Sequence, residues 1–139
     1  MQIEIREIDH VVIRAADPAA MTSFYCDALG CRVEREQPEL GLVQLRAGRS
    51  LIDLIAIGGK LDRDGSEGSK RTAAWRNMDH LCLRVEPFDG DALKTHLARF
   101  GARPGDVVQR YGAEGFGPSL YLFDPEGNMV ELKGPPGAP

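Results

Sequence analysis

Two histidines and two carboxylates stand at matching places along a chain of 139 residues. His10 lies in Ile8-Asp9-His10-Val11-Val12-Ile13 and His80 in Asp79-His80-Leu81-Cys82-Leu83. Asp53 lies in Ile52-Asp53-Leu54, and Glu131 in Val130-Glu131-Leu132. Each is a polar residue inside an aliphatic run of period two, which places it on a strand, on the face opposite the aliphatic pair. A carboxylate on such a strand is costly to bury unless it is paired or binds a cation, and one divalent metal removes that cost for both acids. Two imidazole nitrogens and two carboxylate oxygens suit zinc, nickel, iron, cobalt or manganese, and leave room for water or substrate. A single strand histidine is more often a hydrogen-bonded core or rim residue. Here each half carries a histidine on its first strand and an acid on its last, with the same parity, and that correspondence favours a metal or catalytic site.

The elements that must position these residues form a repeat. His10 and His80 differ by 70, Gly30 and Gly101 by 71, and Asp53 and Glu131 by 78, so the second half has gained about seven residues. The glycine-rich run Tyr111–Gly117 is the natural place for that gain. In the first half, a strand over Ile8–Ile13 leads to a helix opened by Asp17-Pro18, running through Met21, Phe24, Tyr25 and Leu29 and stopped by Gly30. Three strands are predicted near Arg32–Glu36, Gly41–Arg46 and Leu51–Ile57. The second half predicts a strand over Met78–Val85 and a helix from Asp89 through Leu93, Leu97 and Phe100 to Gly101. Strands near Asp106–Arg110, Ser119–Phe123 and Met129–Lys133 follow, with Asp124-Pro125-Glu126-Gly127 as the turn before the last. The fold class is α+β: two tandem βαβββ modules forming a curved mixed sheet with helices on one, outer face. A single domain over 1–139 is expected, with module 1 at about 1–57, a linker at about 58–76 and module 2 at about 77–139.

Composition narrows the function classes. With 17 Lys+Arg against 21 Asp+Glu, the formal net charge is -4, which offers no electrostatic footprint for a nucleic acid. No apolar stretch approaches the length that crosses a bilayer, so no membrane partner is expected. The opening Met1–Glu7 carries acids where a targeting segment would carry basic charge, and a cytoplasmic location follows as the expectation. Cys26, Cys31 and Cys82 lack the spacing of a zinc site or disulfide framework and read as free thiols.

Together with Phe24-Tyr25, Leu29-Gly30-Cys31 and the run Phe123-Asp124-Pro125-Glu126-Gly127-Asn128-Met129-Val130-Glu131-Leu132, the two histidine motifs resemble the vicinal oxygen chelate superfamily. This group includes glyoxalase I, extradiol dioxygenases, methylmalonyl-CoA epimerase, fosfomycin resistance enzymes and bleomycin resistance proteins. The resemblance spans nearly the whole chain. It implies a U-shaped sheet around a divalent transition metal, with ligands at His10, Asp53, His80 and Glu131. Asp53 stands where relatives usually carry Glu, Gln or His, so it binds directly, through water, or leaves a two-His, one-carboxylate face.

The implied activity is that of a glyoxalase-like lyase or isomerase, acting on a small α-oxygenated carbonyl or thioester through an enediolate-type intermediate, with Glu131 as base. Arg14, four after His10, matches an arginine that contacts the glutathione carboxylate in some glyoxalase I enzymes, but Ile57 replaces their asparagine four after the acid. One alternative is an Fe(II) extradiol dioxygenase using His10, His80 and Glu131. Another is a metal-free binder of drugs or metabolites of the bleomycin resistance type. A thiol transferase like the fosfomycin resistance proteins would need a basic phosphonate pocket that the sequence does not display. The resemblance also implies a homodimer, in some relatives with each metal site built from both chains.

Further residues stand beside this set. Arg84 and Cys82 share parity with His80 and are candidates for substrate contact, against salt bridging for an arginine and apolar packing for a strand cysteine. Tyr121 is a candidate hydrogen-bond donor to substrate, against core packing with its hydroxyl at the rim. Tyr111 and Phe116 read either as a lid or as flexible surface residues, and His96 as a packing or surface residue. On the third strand, comparison of the halves turns Val43 and Leu45 toward the site, whereas polarity favours Gln44.

Overall fold

The computed structural model describes residues 7–8, 10–62, 78 and 80–137. Asp9, Asp79 and most of the expected linker, from residue 63 on, lie outside the described residues. The chain divides into two compact units, Met1–Lys70 and Arg71–Pro139.

In the first unit, strand β1 (His10–Ala15) is followed by helix α1 (Pro18–Ser23) and strands β2 (Arg32–Gln37), β3 (Leu42–Ala47) and β4 (Ser50–Ala56). Asp17 caps α1, its side chain accepting the Ala20 N–H at 3.0 Å, with Pro18 in the first turn where its missing N–H costs nothing. The helix predicted to reach Leu29 instead widens into a π-helical stretch over Phe24–Ala28. There the Leu29 N–H reaches back to the Phe24 carbonyl at 3.3 Å and the Cys31 N–H to that of Tyr25 at 2.9 Å. Gly30 closes this widened turn at φ 79°, a left-handed conformation that a side chain would strain.

The second unit repeats the order with β5 (His80–Arg84), α2 (Gly90–Ala98), β6 (Val108–Gly112), β7 (Gly115–Phe123) and β8 (Met129–Lys133). Asp89 caps α2 by accepting the N–H groups of Asp91 and Ala92. The glycine-rich run expected as a loop or lid is instead the tip of a β-hairpin, with β6 and β7 joined at Ala113-Glu114. Tyr111 pairs with Phe116 across it, their ring centroids 5.2 Å apart and both side chains exposed. These glycines serve close approach rather than looseness: a Cβ on Gly112 would stand 2.6 Å from Lys133 Cε, and one on Gly117 2.8 Å from the Pro135 carbonyl.

Each unit is one four-stranded mixed sheet, ordered β1-β4-β3-β2 and β5-β8-β7-β6, as two βαβββ modules require. The first and last strands pair parallel, which only a crossover through the helix permits, and the other pairs are antiparallel. Alternation then separates the faces. In unit 1, Ile13, Leu45, Ile52 and Leu54 are buried together with Met21, Phe24 and Tyr25. In unit 2, Leu120, Leu122, Val130 and Leu132 are buried, as is Leu97 of α2. Burying a side chain of this size contributes roughly 1.5–3 kcal/mol, so these aliphatic faces fix which way every polar strand residue must turn.

The turn before β8 is held by one buried carboxylate. Asp124 accepts the N–H groups of Glu126 and Asn128, each at 2.9 Å, and the Asn128 amide at 2.7 Å. Its own N–H donates to the Asn128 carbonyl at 2.9 Å. Replacing Asp124 by Ala is expected to lower unfolding free energy by about 2–3 kcal/mol in urea titration, because three donors lose their acceptor; a loss below about 0.5 kcal/mol contradicts this role.

Candidate active site

The pairing of first and last strands places a histidine and an acid together in each unit. In unit 1, Val12 pairs with Asp53, and His10 stands two residues before Val12 on the same face. In unit 2, Cys82 pairs with Glu131, and His80 stands two residues before Cys82. The offset is the same in both, and both sets lie opposite the aliphatic faces described above.

In unit 2 the two side chains meet. His80 Nε2 lies 3.2 Å from Glu131 Oε2, with the glutamate buried and the imidazole about one-third exposed. Glu131 is flanked in register by Cys82 on β5 and Tyr121 on β7. The Tyr121 ring meets that of His80 edge-on, with centroids 5.4 Å apart. The thiol of Cys82, a residue exposed overall, is pushed up to about 11, first by partial desolvation beside the sheet, then by the charge of Glu131 and a hydrogen bond with it. Cys82 therefore stays a neutral thiol at physiological pH and serves Glu131 as a neighbour rather than as a nucleophile.

Unit 1 holds the shorter acid differently. Asp53 is buried, and its Oδ2 accepts the Gln44 amide at 3.1 Å across the β3–β4 register. This resolves the third strand: Gln44 shares the face of Asp53, while Leu45 is fully buried on the other. Asp53 Oδ1 is buried with no hydrogen-bond partner among the described residues. A carboxylate oxygen left so is unfavourable by itself and is the kind of atom a cation would satisfy.

The candidate substrate residues divide. Arg14 is committed in part to the buried Asp62 through Nε at 3.0 Å, and Asp62 also accepts the Gly58 N–H at 3.0 Å. Arg84 is held by Glu114, by Glu86 at 3.6 Å and by the Val85 carbonyl at 2.7 Å, the salt-bridging role usual for a strand-end arginine. Tyr121 is half-buried beside His80 as the parity of β7 predicts. His96 is exposed on α2 with its ring against Phe100 at 5.1 Å, in keeping with a packing or surface residue. Arg110 escaped sequence reasoning, although its Cζ lies 4.3 Å over the Tyr121 ring. The signal that could have found it was its parity on β6, which becomes usable only once the glycine-rich run is read as a hairpin.

Among the described residues, no group of three or more His, Cys, Asp and Glu side chains is gathered in a way that could hold a metal ion. Each unit supplies a partial donor set: an imidazole with a carboxylate in unit 2, and an orphaned carboxylate oxygen with a histidine on the same strand face in unit 1. Nitrogen and oxygen donors of these types fit a divalent transition metal.

The family model that matches residues 7–132 is the Glyoxalase/Bleomycin resistance protein/Dioxygenase superfamily. The chain belongs to this superfamily. It is similar to a glyoxalase domain-containing protein, RDO1, of Mycosarcoma maydis, with 29% identity over 94% of this chain and 69% of the relative. It is also similar to biphenyl-2,3-diol 1,2-dioxygenase 3 of Rhodococcus globerulus, with 32% identity over 89% of this chain, which spans only 60% of that enzyme. An integron cassette protein from the mobile metagenome of V. cholerae has a similar solved structure, with TM-score 0.75, 26% identity and coverage of 96% and 98% of the two chains.

The unpartnered oxygen yields a prediction. In metal-free protein, Asp53→Asn is expected to leave the thermal midpoint unchanged or raise it, since an amide is less costly to bury than an unpaired carboxylate oxygen. Destabilisation by more than about 1 kcal/mol would show that the charge of Asp53 is already compensated in the apoprotein.

Proposed function

We propose that this protein is a divalent-metal-dependent enzyme of the glyoxalase type, a lyase or isomerase acting on a small α-oxygenated carbonyl or thioester. The contact between His80 and Glu131, on the strand face that the aliphatic core leaves open, carries this reading. Ligands would be drawn from His10, Asp53, His80 and Glu131. A metal so held supplies Lewis-acid polarisation of substrate oxygens on adjacent atoms. Glu131 takes a proton from the carbon beside the carbonyl, and its burial away from bulk water keeps that proton on the site. In the metal-free protein His80 Nε2 meets the carboxylate at 3.2 Å, a nitrogen that would turn to the metal when one is bound, and Tyr121 offers a phenol donor next to the imidazole. Cys82 lines the same row, with its uncharged thiol beside Glu131. A homodimer and a cytoplasmic setting complete the reading.

Protein purified without chelator is expected to carry a stoichiometric divalent transition metal by elemental mass spectrometry. His80→Ala or Glu131→Gln should weaken retention by at least about tenfold. Metal-free protein that gains no activity on adding any of these metals would point instead to a binder of the bleomycin resistance type.

A second reading, ring cleavage by an Fe(II) extradiol dioxygenase, is favoured by the 32% identity to the biphenyl-2,3-diol enzyme. Against it, His96 is exposed on α2, away from the strand faces that an acid–base histidine would occupy. Iron-loaded protein is expected to consume no oxygen with biphenyl-2,3-diol or catechol in an oxygen electrode. Uptake at a turnover comparable to ordinary enzymes, on the order of 1 per second or more, would replace the lyase reading with the dioxygenase one.

A further inference from the structure

Unit 2 contains a guanidinium that the metal reading does not use and that pairs with no acid among the described residues. Arg110 on β6 is fixed from two sides. Its Cζ lies 4.3 Å above the Tyr121 ring, and its Nη1 donates to Ser119 Oγ at 2.7 Å and to the Ser119 carbonyl at 3.2 Å. Ser119 is fully buried, and its hydroxyl proton is directed to the Val108 carbonyl at 3.4 Å, which leaves a lone pair for the arginine. The carbonyl of Arg110 in turn accepts Lys133 Nζ at 2.7 Å, and that buried ammonium makes its second bond to the Gly117 carbonyl at 3.2 Å. Two cations, one on β6 and one reaching across from β8, therefore sit against the β6–β7 hairpin with carbonyls, one hydroxyl and an aromatic ring as neighbours.

The two arginines first read as substrate contacts are engaged differently: Arg14 by Asp62, and Arg84 by Glu114 and Glu86. On Arg110, the edge formed by Nε and Nη2 has no acceptor among the described residues, and that edge matches a carboxylate with two parallel hydrogen bonds. A half-buried guanidinium without a counter-ion carries a desolvation cost that an incoming anion would offset. The ring beneath it is the one that meets His80 at 5.4 Å, so an anion on Arg110 lies one tyrosine away from the imidazole.

We propose that Arg110 is a carboxylate-binding residue of the substrate site, which makes the substrate an oxygenated carbonyl compound bearing a separate carboxylate. The assignment of that anion to a substrate rests on reading the His80–Glu131 cluster as the active site. Binding of the anion itself does not require a metal, and the two can fail separately.

The test is titration of metal-free protein with succinate at neutral pH and low ionic strength, followed by the ¹⁵N–¹H resonances of the arginine side chains. Succinate is expected to shift the Arg110 Nε–H resonance saturably, while uncharged succinamide does not. Arg110→Gln should weaken binding about tenfold or more, and Arg110→Lys by a smaller factor, since a lysine keeps the charge and loses the two-pronged geometry. No shift at Arg110, equal binding of succinamide, or unchanged affinity in a folded Arg110→Gln variant overturns the proposal and leaves Arg110 as a pin between β6 and β7. Failure of metal retention in the wild type, with the succinate shift intact, removes the catalytic reading and leaves the anion site standing.

Discussion

Parallel pairing between the first and last strand of each unit is the constraint on which the rest depends. The connection between two such strands must cross over, and here it carries a helix, whose core-facing residues are buried together with the aliphatic side chains on alternate strand positions. Every residue of opposite parity is thereby turned to the other face. Because β1 meets β4 in the same register as β5 meets β8, a histidine on the first strand and an acid on the last come to lie on one diagonal in both units. The duplication repeats a geometry as well as a motif.

The cost of that geometry is two carboxylates removed from water. Unit 2 meets it with His80 Nε2, the Cys82 thiol and the partly aromatic surroundings of Tyr121. Unit 1 meets half of it with the Gln44 amide and leaves one oxygen of Asp53 unsatisfied. Aspartate is one methylene shorter than the glutamate at the corresponding place, and its second oxygen finds no donor among the described residues. Buried polar atoms that a stable core would avoid are retained where a ligand or a cation supplies the missing partner.

Much of this was legible because it is local chemistry. Asp17 and Asp89 cap helices, Gly30 and Gly101 adopt positive φ, and the Asp124 turn closes on its own carboxylate, each readable from a few neighbouring residues. The faces of His10, Asp53, His80 and Glu131 follow from period-two alternation alone. What escaped depends on partners distant in sequence. Gly112 and Gly117 resembled a flexible loop, but they are strand residues kept small by Lys133 and by the Pro135 carbonyl. Gln44 could not be placed until its register with Asp53 was known, since Val43 and Leu45 pattern equally well. The π-helical turn over Phe24–Ala28 leaves no periodic signature in so short a segment. Arg110 gained meaning only when the hairpin set it over Tyr121.

The central claim is that His80 and Glu131 jointly ligate a divalent cation. Anomalous diffraction from crystals grown with manganese or zinc tests it most directly. The account predicts a peak within about 2.0–2.3 Å of both His80 Nε2 and a Glu131 carboxylate oxygen. A fully ordered His80–Glu131 contact with no anomalous density beside it, in crystals where metal binds elsewhere or not at all, would contradict it.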